Sequence, residues 1–541
     1  MITISRRMVY AIAAGIVLAI ILAISISGCA YPVRNFDLQV LNGNAGYRWQ
    51  NLGADDMPDT LVIVSASGGG TRAATLELGT LRALDHTVLP SGKRLSEEVD
   101  MISSVSGGSV TAAYFALHGR AALQTSWPNK DPLPYDLENR FIRRSGTNAL
   151  IMDAINPIEW VRLSTPARER IDVLIDYFDR TLFTEGETYD TLLKARRRPF
   201  LILNAADMVE GQPFPFTQQM FDLLCSDLLR TKLSVGVASS AAFPLALSPV
   251  TLKNYSRCAA QDKQIDWPPA WVQSEVRTDW QTTDRQDIVG RGRAEAAYAF
   301  GVPRPGTPAD SASKSVLADP RTTPLVDQIG MAPVKKAYIH LLDGGIADNL
   351  GVGEPYRTLT QQGMSAPFFN LIATGTVKRI LFVMVNSRSA ASSTLDGKPN
   401  TPGLVDMLEG TTGASIDRAS VGAAQRLRTL LEHSFEDEAA LLEAQHKPGA
   451  ENFRAVADNT SLVSIDFDAI PDATCRLRFH NIGTNWGMTD QEVTAVLDVG
   501  EALTMDDLQF QKTKAALGAR VESGLPDIKK ACKEIAPTEG Q

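Results

Sequence analysis

Three short motifs set reactive groups beside glycines. Gly68-Gly69-Gly70-Thr71-Arg72 exposes successive backbone N–H groups, Ser104-Val105-Ser106-Gly107-Gly108 ends an apolar run on a hydroxyl, and Leu341-Leu342-Asp343-Gly344-Gly345 ends another on a carboxylate. A strand-to-helix turn pushes a serine hydroxyl out of a sheet edge, and the helix N-terminus behind it favours negative charge. Ser106 is therefore the candidate nucleophile of an acyl transfer. That reaction needs donors aimed at the oxyanion of the tetrahedral intermediate, and the backbone N–H groups of Gly68, Gly69, Gly70 and Gly107 are the candidates. An ordinary Asp, with a pKa of about 3.9, is a feeble base for a hydroxyl, but a dry cleft raises that value toward the task. Asp343 is the candidate base. Each motif alone has a plainer reading, since Ser-Gly-Gly also caps helices and Asp-Gly also makes turns. A phosphate loop is disfavoured because no Lys-Ser or Lys-Thr follows the glycines and no Gly-x-Gly-x-x-Gly spacing is present. The usual elbow has glycine two places before the nucleophile; here Ser104 stands there.

The elements that must hold these groups read as strand, glycine turn, helix. Leu61 to Val64 is apolar and partly β-branched, and after Gly70 apolar positions recur at Leu76, Leu78, Leu81 and Leu84. The unit repeats at Val99 to Val105, followed by helical spacing from Val110 to His118. Two such units in succession imply parallel strands with crossover helices, an α/β class. Further buried strands are expected at Phe200 to Asn204, Tyr338 to Leu342, Arg379 to Asn386 and Leu462 to Ile465, and helices at Asp417 to Leu431 and Asp490 to Leu503. The stretch of about 255–328 is polar, with Trp267-Pro268-Pro269-Ala270-Trp271 inside it, and reads as a surface insertion or lid.

The chain has 541 residues, 44% of them hydrophobic, enough for a large core. Its 53 basic and 62 acidic residues give a formal charge of -9 with no long basic run, which argues against a nucleic-acid partner. The triplet Arg196-Arg197-Arg198 reads as a solvated strand entrance, with anionic headgroups as the alternative. At the N-terminus, Arg6 and Arg7 precede an apolar stretch from Met8 to Ile26, the pattern of an export segment. Ile26-Ser27-Gly28-Cys29 resembles a bacterial lipobox, which implies removal of residues 1–28 and acylation of Cys29 as a membrane anchor. The alternative is an uncleaved membrane span, which about nineteen residues can just achieve. The anchored body would be acidic, 51 minus 62 or -11, so acyl chains and not charge would hold it to a membrane. Residues 29–59 are polar, with Pro32, Gly43, Gly46 and Gly53, and read as a tether. Cys225, Cys258, Cys475 and Cys532 then meet an oxidising compartment; pairing of sequence neighbours and free buried thiols both stay open. No Cys/His or acidic spacing reads as a zinc or calcium site, so neither metal nor cofactor is expected.

The order of glycine run, Ser-Gly-Gly and Asp-Gly-Gly resembles the patatin-like phospholipases. Two further segments resemble the same family: Asn204-Ala205-Ala206-Asp207 with Phe214-Pro215-Phe216-Thr217, and Ala238-Ser239-Ser240-Ala241-Ala242-Phe243-Pro244. The family's Gly-Gly-Gly-x-Arg-Gly matches Gly68 to Arg72, with Ala73 in place of the last glycine. The resemblance implies a three-layer α/β/α fold with a mostly parallel central sheet. It implies a Ser106/Asp343 dyad without a catalytic histidine, an acyl-enzyme, no cofactor, and a phospholipid or lysophospholipid substrate. Arg72 would steady the glycine loop or face a headgroup phosphate, and His118 and His340 would be structural. The implied catalytic domain spans 60–390, and 391–541 is a helical extension completing the same domain. A transacylase and a non-catalytic lipid-binding lipoprotein remain the alternatives. The expected place is the bacterial cell envelope, lipid-anchored and facing the periplasm or exterior.

Overall fold

Strands that are apolar and buried almost end to end must be covered on both faces. Thr60–Ala66 (β1), Val99–Val105 (β2) and Phe200–Asp207 (β3) have that pattern. The computed structural model describes residues 32, 34–39, 42–52, 59–129, 133–144, 146, 168–196, 198–244, 247–255, 337–360, 367–389, 404–484 and 486–535. Its remaining sheet strands are Pro213–Pro215 (β4), Val250–Lys253 (β5), Tyr338–Asp343 (β6), Arg379–Asn386 (β7) and Thr460–Asp466 (β8). Among the described residues the order is β8-β7-β1-β2-β3-β6-β5, with β4 beside β3. The five strands from β8 to β3 are parallel, whereas β6 runs antiparallel to β3, β5 to β6 and β4 to β3. The sheet is thus mixed but mostly parallel and lies between helices, the three-layer α/β/α arrangement expected.

The helices that matter for the site are Gly70–Asp85 (α1), Gly107–His118 (α2), Arg170–Thr181 (α3), Leu233–Ser240 (α4), Gly345–Asp348 (α5), Leu404–Thr429 (α6), Ala473–His480 (α7), Asp490–Asp506 (α8) and Ile528–Glu534 (α9). Helix α8 packs along α1, and β8 extends the sheet beyond β7, so the C-terminal region builds onto the same core. A disulfide joins Cys475 in α7 to Cys532 in α9. Cys225 is disulfide-bonded as well, and Cys258, its expected partner, lies outside the described residues. The export segment, Cys29 and nearly all of the Pro/Trp-rich insertion lie outside them too.

The expected tether is corrected by the structure. Residues 34–39 and 42–52 form a strap bound along the body. Arg34 pairs with Glu169 at 2.9 Å and with Asp172 at 2.8 Å, Phe36–Asp37 pairs with Ser226–Asp227, and Arg48 pairs with Asp222 at 2.6 Å. Tyr47, Trp49 and Leu52 are buried. The polar composition that suggested a solvated tether is used up in ion pairs and backbone contacts. Arg198 likewise serves structure, donating to Asp100 with its guanidinium over the Trp49 ring.

Glu77 in α1 is fully buried, and neither carboxyl oxygen has a hydrogen-bond partner among the described residues. Burial pushes its pKa well above the usual value. The folded acid stays neutral where the unfolded chain ionises it, so stability falls as pH rises past about 4.3, the ordinary glutamate value. Glu77→Met keeps the length and removes the titration. Its melting temperature should exceed the parent's at pH 7 to 8, and the difference should shrink toward pH 4; thermal melts across that range measure it.

Candidate active site

Ser106 occupies the turn between β2 and α2 with φ 50° and ψ −118°. Such a backbone state costs a non-glycine residue of order 1–3 kcal/mol, so the surroundings must enforce it. Buried hydrogen bonds do so. The Ser106 N–H donates to Ser240 Oγ at 2.9 Å, the Ser240 hydroxyl donates to the Asn204 carbonyl at 2.6 Å, and the Ser109 hydroxyl lies 2.8 Å from that of Ser240. At Gly107 a Cβ would stand 1.9 Å from the Gly70 carbonyl oxygen, so the elbow and the glycine loop meet backbone to backbone. Ser104 is wholly buried with its hydroxyl 3.5 Å from Ser109, which is how the site accommodates a serine where glycine is usual.

Asp343 reaches this point from the opposite direction. Because β6 is antiparallel to β3, its last residue pairs with Ala205, next to the Asn204 that pairs with Val105. The end of β6 therefore meets the end of β2 across β3. The Asp343 N–H donates to the Ala242 carbonyl at 3.0 Å, and Asp343 Oδ1 accepts from the Gly345 N–H at 2.8 Å. The Ser106 side chain lies close enough to the same carboxyl to lower its pKa. Burial raises the Asp343 pKa to about 6, against the opposing pull of the Gly345 N–H and the nearby Ser106 hydroxyl.

The glycine loop turns through Gly69 at φ 141° and Gly70 at φ 61°. The N–H groups of Gly69, Gly70 and Gly107 donate to nothing among the described residues. Gly68 differs from the expectation. Its N–H is shared between the Asn349 carbonyl and Asn349 Oδ1, each at 3.2 Å, and Asn349 Nδ2 donates to Ser420 in α6 at 3.2 Å. Asn349 was not singled out in the sequence; its place directly after α5, beyond the Asp343 glycines, was the available signal.

Residues 64–263 match the family described as patatin-like phospholipase. The chain carries a patatin-like phospholipase domain. At the family level this domain supports lipid acyl hydrolysis. The match contains the glycine loop and Ser106 and ends before Asp343. Among solved structures, the human GIVD cytosolic phospholipase A2 is similar at 15% identity and a TM-score of 0.29, over 68% of this chain and 53% of that one. The chain thus spans about half the length of that protein. Comparison with curated proteins gave no match.

Within the patatin-like site, Arg72 supports the loop. It is buried, with Nε donating to the Ser387 carbonyl at 2.9 Å, Nη1 to the Ile482 carbonyl and Nη2 to Thr484 Oγ1 at 3.2 Å. Burial brings its pKa down to about 10, with Asp417 acting the other way. The histidines are engaged elsewhere: the His118 ring stacks on Tyr135 at 4.0 Å, and His340 Nδ1 lies 3.0 Å from Thr251 Oγ1. Among the described residues no cluster of His, Cys, Asp or Glu could hold a metal ion, and no helix is long and apolar enough to cross a membrane.

A carboxyl near pH 6 has a kinetic consequence if it is the base, because only its ionised form accepts a proton. The kcat/KM for a short-chain nitrophenyl ester should rise about tenfold per pH unit below about 6 and level off above it. A profile flat from about pH 4.5 to 8 would exclude Asp343 as the titrating base.

Proposed function

We propose that this protein is a lipid acyl hydrolase that cleaves carboxylic esters of phospholipids or lysophospholipids through an acyl-enzyme. Asp343 takes the proton of the Ser106 hydroxyl as Oγ attacks the ester carbonyl, giving a tetrahedral oxyanion. The free N–H groups of Gly69, Gly70 and Gly107 receive that oxyanion, with the Gly68 N–H joining them only if Asn349 releases it. Collapse expels the alcohol, the lysolipid or glycerol part, which takes the proton back from Asp343. Water then repeats the sequence on the acyl-enzyme, leaving free fatty acid and the original hydroxyl. The observation that supports this reading is the convergence, at one edge of the sheet, of a strained elbow serine and a buried carboxyl whose pKa is raised to about 6.

The proposal includes a lipid anchor at Cys29 after loss of residues 1–28, placing the body at the surface of a bacterial envelope membrane. Ile26-Ser27-Gly28-Cys29 supports it. One preparation tests both parts. A fluorophosphonate should label the purified protein at Ser106, located by peptide mass spectrometry, and label at another serine would overturn the assignment. Intact mass of the membrane-bound protein should correspond to a chain beginning at acylated Cys29. Retention of Met1 to Gly28 would replace the lipoprotein with a spanning anchor.

A further inference from the structure

The strap fixes where an N-terminal anchor must enter the membrane relative to the catalytic crevice. Strands β1, β2 and β3 all run toward one pole of the sheet, where Ser106 lies. Strand β6 runs back from beyond that pole, pairing Leu341 with Asp207, so Ile339 and Tyr338 lie past the end of β3. Lys253 pairs with Tyr338 and lies there too. The Asn35 carboxamide clasps the Lys253 backbone, donating to its carbonyl and accepting from its N–H, each at 2.9 Å. The strap therefore begins at the tip of the β5–β6 ribbon on the catalytic side. It then descends to the opposite pole, where the Tyr47 hydroxyl accepts from the Leu201 N–H at 2.8 Å and Trp49 lies under Arg198.

From Cys29 to the ion-paired Arg34 is only five residues (34 minus 29). Fully extended, they reach at most about 18 Å. A leash that short cannot lift the body away from a bilayer or let it turn over. The same pole carries exposed apolar side chains: Val209 is 66% exposed, Met208 47%, Tyr338 41% and Phe243 36%. Met208 and Val209 follow β3 directly, with the Met208 N–H on the His340 carbonyl at 2.8 Å, and Phe243 adjoins the Ala242 that accepts from Asp343. An acidic body gains little from anionic headgroups, so this apolar rim is the part suited to a lipid surface.

We infer that the catalytic pole is pressed against the leaflet holding the anchor, so that the substrates are acyl lipids of that same leaflet. This rests on the anchor and hydrolase readings above and adds an orientation to them. The test uses the full-length acylated protein in phosphatidylcholine vesicles containing spin-labelled lipid. A bimane probe is attached in turn to Val209→Cys, on the catalytic pole, and to Lys378→Cys, an exposed position just before β7 on the opposite pole. The Val209 probe should be quenched several-fold more than the Lys378 probe. Equal or reversed quenching on bound protein would overturn the orientation alone, whereas protein left in the aqueous phase would overturn the anchor reading and the orientation with it. A second variant carries a thirty-residue proline-rich spacer between Val33 and Arg34, which holds the body up to about 90 Å away. It should lose at least about tenfold of its hydrolysis of lipid in its own vesicle while keeping parental turnover of a soluble nitrophenyl ester. Unchanged lipid hydrolysis would also overturn the orientation. A parent protein inactive on the soluble ester would instead sink the hydrolase reading.

Discussion

Ser106→Ala and Asp343→Asn should each lower ester turnover by several orders of magnitude, and the double variant should be barely worse than either. Nucleophile and base act as one unit, so removing one leaves the other with nothing to do. His118→Ala and His340→Ala should retain most activity, because their rings are engaged by Tyr135 and Thr251. Turnover of a short-chain nitrophenyl ester, with circular dichroism to confirm folding, compares all four. Stability separates a chemical loss from a folding loss. In the parent, burial lifts the Asp343 pKa from 3.8 to about 6, so the folded state resists ionisation. The parent is thus relatively most stable below pH 4 and loses stability as pH rises through about 6, by up to about 3 kcal/mol. Asp343→Asn carries no such charge and should melt higher than the parent at pH 8 while being inactive. A variant that is both inactive and less stable at pH 8 would point to a structural role for the carboxyl instead. Wild-type activity in Ser106→Ala would refute the mechanism outright.

The second large effect comes from adding a single methyl group. A Cβ at position 107 would stand 1.9 Å from the Gly70 carbonyl oxygen, and one at position 344 would stand 2.0 Å from that of Asn204. Both opposing atoms are backbone, so no rotamer change relieves the contact. Gly107→Ala must part the elbow from the glycine loop, moving the donors of Gly69 and Gly70 away from the oxyanion. Loss of one such donor typically costs about a hundred-fold or more in kcat. Gly107→Ala and Gly344→Ala should each lose at least that much and melt at a lower temperature. Gly413→Ala, where a Cβ meets nothing within 4 Å, is the control and should leave turnover unchanged. Near-parental kcat in Gly107→Ala would show that the two loops are not held by this contact.

Local pattern was enough for the parallel centre of the sheet. Val99–Val105 is buried throughout and stops at Ser106-Gly107-Gly108, Arg379–Asn386 is apolar between its terminal Arg379 and Asn386, and their observed limits match the expected ones. Strands β4 and β5 were not anticipated. Pro213–Pro215 has proline at both ends, and Val250–Lys253 is four residues alternating between buried and half-exposed. The apolar run at 338–342 was readable as a strand, but its direction was not. A run of buried residues looks the same whichever way it crosses its neighbour, and here the antiparallel direction is what carries Asp343 to Ser106. The three glycine motifs announced the candidate site because close backbone approach leaves few residue types to choose from. What escaped was set by partners far away in sequence: Arg34 with Glu169 and Asp172, and Gly68 with Asn349. Their polarity alone could not distinguish solvent from a partner.

The Arg72 contacts bear on what may be cut from this chain. Residues 64–263 carry the family resemblance, yet a protein made from them alone would keep the elbow serine and lose Asp343, Ser387, Ile482 and Thr484. The carbonyls and hydroxyl that hold the glycine loop come from residues up to 484, and the disulfide ties α7, just before them, to α9 near the end of the chain. Homology and autonomy therefore have different boundaries here. A gene fragment trimmed to the recognisable module would keep the elbow serine without these partners, and recombination that moved the proposed chemistry into another protein would have to carry the chain from Asp343 to the disulfide at Cys532 along with it.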